Sequence, residues 1–315
     1  YMTRMGNRDM TGDMAQAQLP VVYAEQDGVL YNEMHGYVED MDGASMRDSV
    51  IGVSEDHKVG LALEKYNAQI KSVSYEVRSL DMSRLIEGGD DLQAEDDGKY
   101  LHVSLTLKDL LTQGEEYLLV LKVQTEDQDL VRFYSILTYL GTNHVQDCVD
   151  FAQRFHEMTL TGDSDGVLNY LEQDGSMDGK NLGYINIHSR SGPVTWGDMQ
   201  VVETGETSLR FTELESDITA LTMEYQVTNT ETSEQYQVRE AYRLRYTSTR
   251  IYLLAYERWT DKILEPGRQM VEDGKLSFGI QSSEPVYMKN TEENVVGFVE
   301  QGQLWSYDYG QNRLS

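Results

Sequence analysis

The chain has 315 residues, of which 54 are acidic and 26 basic, giving a formal net charge of −28, and 39% are hydrophobic. Self-repulsion on that scale favours solubility and works against nucleic acid and anionic lipid surfaces, so neither is an expected partner. The length exceeds what a single hydrophobic core usually fills, and more than one domain is expected.

Residues 1–19 form a polar lead-in carrying Met2, Met5, Met10 and Met14, with no apolar run long enough for a membrane span or a signal core. A chain that opens on Tyr1 reads as an excised piece, and a signal or anchor upstream of it is expected; the methionines suit either a partner or, preferably, packing on the neighbouring domain.

Residues 20–140 are dominated by short strands. Val73, Tyr75 and Val77 alternate with polar neighbours, as do Leu101, Val103, Leu105 and Leu107, and then Tyr117, Leu119, Leu121 and Val123 after a turn at Gln113 and Gly114. Several such runs at short spacing predict a β-sandwich. Within it, Asp90, Asp91, Glu95, Asp96 and Asp97 supply hard oxygen ligands suited to calcium, but their spacing lacks the alternating pattern of an EF-hand loop. A solvated hairpin loop is the preferred reading of that run.

Residues 141–265 change character. Val145, Cys148, Val149, Ala152 and Phe155 fall on one helical face; Gly162 ends the pattern, Asp163 or Ser164 caps a second start, and Val167, Leu168 and Leu171 follow. Cys148, the only cysteine, occupies a packing position and excludes an internal disulfide. Leu221, Met223, Tyr225 and Val227 then alternate as a strand, followed by Tyr236, Val238, Tyr242, Leu244 and Tyr246 and by a third run at residues 251–259. The fold expected overall is mainly β with an α+β middle: a β-sandwich, a helix-plus-curved-antiparallel-sheet domain, and a β segment at residues 266–315.

The helical stretch DFAQRFHEMTLTGDSDGVLNYL, followed by those strands, resembles the nuclear transport factor-like, or SnoaL-like, cone fold, a group that also holds ketosteroid isomerases and the N-terminal domains of some cell-wall transpeptidases. That resemblance implies a pocket between helices and sheet, which Tyr184, Trp196, Tyr225 and Tyr242 would line and in which His156 is either a base or a structural residue. No carboxylate is assigned to the interior. The segment LLTQGEEYLLVLKV is similar to the tyrosine corner of fibronectin type III and immunoglobulin-like domains, which implies a hydrogen bond from Tyr117 back to Leu111 or Thr112. The stretch ENVVGFVEQGQLWSYDYGQNRLS resembles the opening hairpin of a β-propeller blade, the alternative being an extension of an earlier sheet.

The six histidines show no metal-ligand spacing, and no nucleophile elbow, P-loop or dinucleotide fingerprint occurs. Neither a catalytic residue, a metal nor a cofactor is assigned. The 21 tyrosines against 6 phenylalanines suit interfaces. Arg243, Arg245, Tyr246, Tyr252 and Trp259, with Arg239, Arg250 and Arg258 interleaved, form either a docking face or ordinary cross-strand packing. The expected function is a non-enzymatic extracytoplasmic interaction or sensing scaffold of a membrane-anchored bacterial protein, at the cell surface, with a protein or cell-wall glycan as partner. The alternatives are a small-molecule-binding or isomerase-type enzyme using the cone, and a carbohydrate-binding module.

Overall fold

The computed structural model describes residues 19–46, 48–66, 68–90, 92–108, 110–126, 130–175 and 182–263, and in the C-terminal stretch 271–272, 275–276, 287–292, 294–300, 303–311 and 313–314. The lead-in methionines, Asp91 and Gly302 lie outside the described residues.

The first ten strands are β1 (Val21–Gln26), β2 (Val29–His35), β3 (Val50–Ser54), β4 (Lys58–Glu64), β5 (Ile70–Arg78), β6 (Leu85–Gly89), β7 (Ala94–Asp96), β8 (Tyr100–Thr106), β9 (Glu116–Thr125) and β10 (Leu130–Gly141). They form two five-stranded sheets, ordered β2-β1-β4-β8-β7 and β3-β10-β9-β5-β6, and every pairing is antiparallel except β3 with β10. Leu61, Leu63, Val103 and Leu105 from one sheet and Val73, Val77, Leu121 and Val123 from the other enter a common apolar core, which makes this half a β-sandwich. The expected alternation holds in β8, where Val103 and Leu105 are buried and Ser104 and Thr106 exposed. The Thr112 N–H donates to the Tyr117 hydroxyl oxygen at 2.9 Å, so the corner forms where the sequence places it. The acidic run folds as a hairpin: Asp96 and Asp97 accept from the backbone N–H groups of Gly98, Lys99 and Tyr100, and Lys65 pairs with Asp96 at 2.6 Å.

The second half is built on α1 (Val145–Thr161), which buries Val145, Cys148, Val149, Ala152 and Phe155 as their spacing requires, together with Phe151, His156 and Thr159. Gly162 stops the helix in the left-handed region at φ 75°, and the Asp163 carboxylate caps α2 (Ser164–Leu168) by accepting from Gly166 N–H. Within α2, Val167 enters the core while Leu168 is 47% exposed, which corrects the expected Leu168 stripe: one turn of helix presents one apolar position inward. A twisted sheet, ordered β11-β15-β14-β13-β12, receives α1; its strands are β11 (Tyr184–Asn186), β12 (Val201–Leu214), β13 (Ile218–Asn229), β14 (Gln235–Tyr246) and β15 (Ile251–Lys262), with the short α3 (Ser191–Val194) after β11. Three residues of β12, beginning at Gly205 with φ 83°, face Tyr225 alone, and this bulge bends the strand. Neither β12 nor β11 was legible as a strand from alternation.

The C-terminal stretch carries the two-residue pair β16 (Val271–Glu272) and β17 (Lys275–Leu276), and then a separate antiparallel sheet of β18 (Tyr287–Lys289), β19 (Val295–Glu300), β20 (Gln303–Asp308) and β21 (Arg313–Leu314) in chain order. The hairpin foreseen there is therefore β19–β20, and it belongs to its own four-stranded sheet instead of extending an earlier one. No helix among the described residues is long and apolar enough to cross a membrane.

The two halves meet through a buried amide. Asn32 sits at φ 54° in a bulge of β2, a conformation asparagine tolerates, and has no exposure to water. Its Nδ2 donates to Val50 O at 2.8 Å and its Oδ1 accepts from Phe211 N–H at 2.7 Å, tying β2 to β3 and to β12. Asn143 repeats the device, donating to Gln26 Oε1 at 3.0 Å and accepting from Val145 N–H at 2.8 Å. Removing the first clamp leaves a carbonyl and an N–H without partners in the interior. Asn32→Ala is expected to lower stability by about 2–4 kcal/mol, read from the urea midpoint; a loss under about 1 kcal/mol would show that the clamp contributes little.

Candidate functional site

Strand alternation puts Tyr236, Val238, Glu240, Tyr242 and Leu244 of β14 on the face beneath α1, so Glu240 is carried inside with its apolar neighbours. It has no exposure to water. A carboxylate in that position requires donors within the protein, and three surround it. The Tyr242 hydroxyl donates to Oε2 at 2.6 Å, the Tyr256 hydroxyl donates to Oε1 at 2.8 Å, and His156 Nδ1 lies 3.1 Å from Oε2. Burial first, and then the Glu240 charge, hold both tyrosines well above their ordinary pKa, so they stay protonated as donors.

His156 faces a second carboxylate. Its Nε2 is 3.3 Å from Glu203 Oε2, on the stretch of β12 that precedes the bulge, where Thr207 also donates to Glu203. A neutral imidazole has one N–H, whereas the imidazolium has two and satisfies both acceptors. Burial works against the charged ring, but hydrogen bonding to Glu240 and attraction to both carboxylates outweigh it and raise the His156 pKa. For Glu240 burial likewise favours the neutral acid; the bond and charge of His156, with Arg258 nearby, overcome it and lower the pKa.

Arg258 occupies the next inward position after Tyr256 and is fully buried. Its Nη1 and Nη2 donate to Val194 O at 2.8 Å and Pro193 O at 3.0 Å, carbonyls at the end of α3, and its guanidinium lies 3.9 Å over the Trp196 ring. Trp196 is held in the left-handed region at φ 69°. Arg258 Nε, Trp196 Nε1 and the Tyr225 hydroxyl are buried without hydrogen-bond partners among the described residues. The Tyr225 hydroxyl faces Glu240 without making a hydrogen bond of normal geometry; burial, followed by that charge, pushes its pKa well up. The cluster is thus buried around Glu240, with Glu203 at its partly exposed edge.

Of the residues singled out from sequence, the structure gathers His156, Trp196, Tyr225 and Tyr242 around this cluster. Tyr184 is placed elsewhere: it pairs with Trp259 on the outer face of the sheet and its hydroxyl donates to Glu257 at 2.6 Å. The foreseen docking face is divided. Arg243, Arg245, Tyr252 and Trp259 share the outer face, but Tyr246 turns inward and stacks on His144 at 3.5 Å, and Arg258 is interior. On that face Arg243 forms two 2.9 Å bonds with Glu213, Arg239 lies over Trp259 and Arg250 over Tyr252, so much of it is cross-strand packing. Glu240 and Arg258 are the residues missed. Their signal was parity, since Glu240 lies between the inward Val238 and Tyr242, and Arg258 between Tyr256 and Thr260. Among the described residues no group of His, Cys, Asp and Glu is arranged to hold a metal ion.

No protein-family model matches the chain, and no curated protein is similar enough to count as a relative. Among solved structures, an engineered protein matches over 40% of this chain and 21% of its own, at 13% identity and a TM-score of 0.24. CopC from Methylosinus trichosporium OB3b matches over 35% of this chain and 99% of its own, at 14% identity and a TM-score of 0.21. Spo0M, a sporulation control protein from Bacillus subtilis, matches over 76% of this chain and 89% of its own, at 7% identity and a TM-score of 0.22. Likenesses this distant carry no argument about function.

The cluster sets a pH dependence. His156 is raised from 6.5, so its contribution to stability is whole below that value and is lost as pH rises through the folded pKa. Glu240 is lowered from 4.5, so its contribution is whole above that value and is lost as pH falls through the folded pKa. The pair stabilises the fold most between 4.5 and 6.5. Glu240→Gln is expected to cost about 3–5 kcal/mol and to return the His156 ring titration, followed by NMR, to 6.5 or below. A wild-type His156 ring that titrates below 6.5 would contradict the ion pair.

Proposed function

We propose that this chain is a non-enzymatic interaction scaffold, acting outside the cytoplasm of a bacterium, in which an immunoglobulin-like sandwich precedes a nuclear transport factor-like cone. The observation that carries the reading is the occupied interior: both Glu240 oxygens are held by Tyr242, Tyr256 and His156, and Glu240 has no exposed surface. A catalytic base has to approach a substrate proton, and a pocket filled by its own side chains leaves a substrate no place to lie. The Tyr117 corner and the helix laid over a bent five-stranded sheet support the two likenesses. The extracytoplasmic setting, and attachment to a membrane through a segment outside this chain, rest on the acidic composition and the tandem β-rich architecture. A protein or a cell-wall glycan suits the outward faces as partner. A sugar platform of tryptophans is less favoured, because Trp196 is buried and Trp259 and Trp305 are each half-buried.

The test is a titration of the isotope-labelled chain with a panel of steroid-sized and polyketide-sized hydrophobic compounds. The His156 and Tyr225 resonances and the melting temperature are expected to stay fixed. A saturable shift of those two residues by any compound would reinstate a ligand pocket and remove the basis of the scaffold reading.

A further inference from the structure

Two adjoining clefts, of about 580 and 630 Å³, open between the outer edge of α1 and the β14–β15 hairpin, and they share Arg154, Thr249, Arg250 and Ile251. The first is also lined by Asp147, Asp150 and Glu157 of α1. The second carries Asn169, Tyr170 and Tyr252 beside the two arginines, and Glu172 is its one carboxylate among the described residues.

Both arginines are anchored, and among the described residues neither forms an ion pair. Arg154 Nε donates to Asp150 O at 3.2 Å, one helical turn back. Arg250 is fixed at its backbone by Thr247, whose hydroxyl accepts from Arg250 N–H at 3.2 Å and donates to Arg250 O at 2.7 Å. Its guanidinium rests 3.8 Å over the Tyr252 ring, again without an ion pair among the described residues. In a chain with 54 acidic and 26 basic residues an arginine readily meets a carboxylate, as Arg243 meets Glu213 on the same sheet. Two exposed arginines that line one concave site, with Nη donors that make no hydrogen bond among the described residues, fit the planar, two-pronged geometry of an oxyanion. By contrast, the smaller cleft beside Asn143 is lined by Glu25, Asp27 and Asp56 against Lys58 alone, and repels the same group.

We infer that the second cleft, between α1 and the β14–β15 hairpin, binds a small ligand through a carboxylate or phosphate group gripped by Arg154 and Arg250, with Tyr252 and Tyr170 flanking it. This site is separate from the buried cluster and does not rest on the scaffold reading. A carboxylate and a phosphate present the same oxygens to the two forks, so the titration that tests the site also separates them.

The full chain, isotope-labelled at nitrogen, would be titrated in parallel with inorganic phosphate, succinate and the neutral sugar maltotriose, following the Arg154 and Arg250 Nε–Hε signals. Saturable movement of both signals with phosphate, succinate or both is the expected result, and the stronger of the two names the source of the oxyanion. Arg154→Gln and Arg250→Gln should each weaken that binding at least about tenfold, as loss of a charge-assisted hydrogen bond requires. Arg84→Gln, at an exposed turn, should leave it unchanged, and preserved backbone amide spectra show that each variant is folded. Absence of saturation, a response to maltotriose alone, or undiminished binding in both cleft variants would overturn the assignment.

Discussion

A carboxylate removed from water must be met by donors from several directions at once, and the second half of this protein is organised around meeting that requirement for Glu240. Tyr242 comes from the same strand, Tyr256 from the strand beside it and His156 from the helix above. These bonds fix α1 over the sheet in a way that apolar contact does not, because Phe155 against Tyr242 and Tyr256 tolerates sliding whereas a hydrogen bond does not. A shift of α1 by one residue would part His156 from both Glu240 and Glu203. The β12 bulge belongs to the same arrangement, since it bends the strand where Glu203 reaches the other side of the imidazole.

The junction between the halves follows the same logic with neutral groups. Asn32 and Asn143 each engage partners from more than one element, so the sandwich and the helix-covered sheet share one apolar core that runs from Val22 to Tyr256. The Tyr31 ring meets the Phe211 ring edge-on at 5.2 Å beside the Asn32 clamp, which adds apolar contact to the polar tie. A single amide at each contact, buried at Asn32 and half-buried at Asn143, sets the relative position of elements far apart in sequence.

Local patterns made much of this legible in advance. The α1 stripe, the Gly162 stop, the Asp163 cap and the Tyr117 corner depend on a few neighbouring residues, and the sequence displays them directly. The polar interior was read incompletely because charged residues are ordinarily assigned to solvent, and that assumption placed Arg258 on the surface and passed over Glu240. Alternation alone would have put both inside, and only the assembled sheet shows the groups that make their burial tolerable. Tyr246 illustrates the reverse: its parity with Tyr242 and Leu244 already turned it away from the outer face on which Arg245 stands. Strand β12 escaped notice because its bulge and its exposed run at residues 205–208 interrupt the period of two on which strand recognition depends.

The buried cluster lies in the middle of β14 and β15, away from the turn that joins them. The β14–β15 turn lies at the end of the sheet where α1 begins, laced by Thr247 and placed beside helix residues that carry both signs of charge. Changes there do not disturb Glu240, since the turn and the cluster are at separate positions along the same two strands. The helix-covered sheet thereby divides its labour along its length: the buried cluster holds helix to sheet, and the hairpin end presents arginine and tyrosine to the solvent. In a protein of net charge −28 the second cleft, with Arg154 and Arg250 against Glu172, differs in sign from most of its surroundings, and that contrast gives an approaching negatively charged group a preferred place to settle.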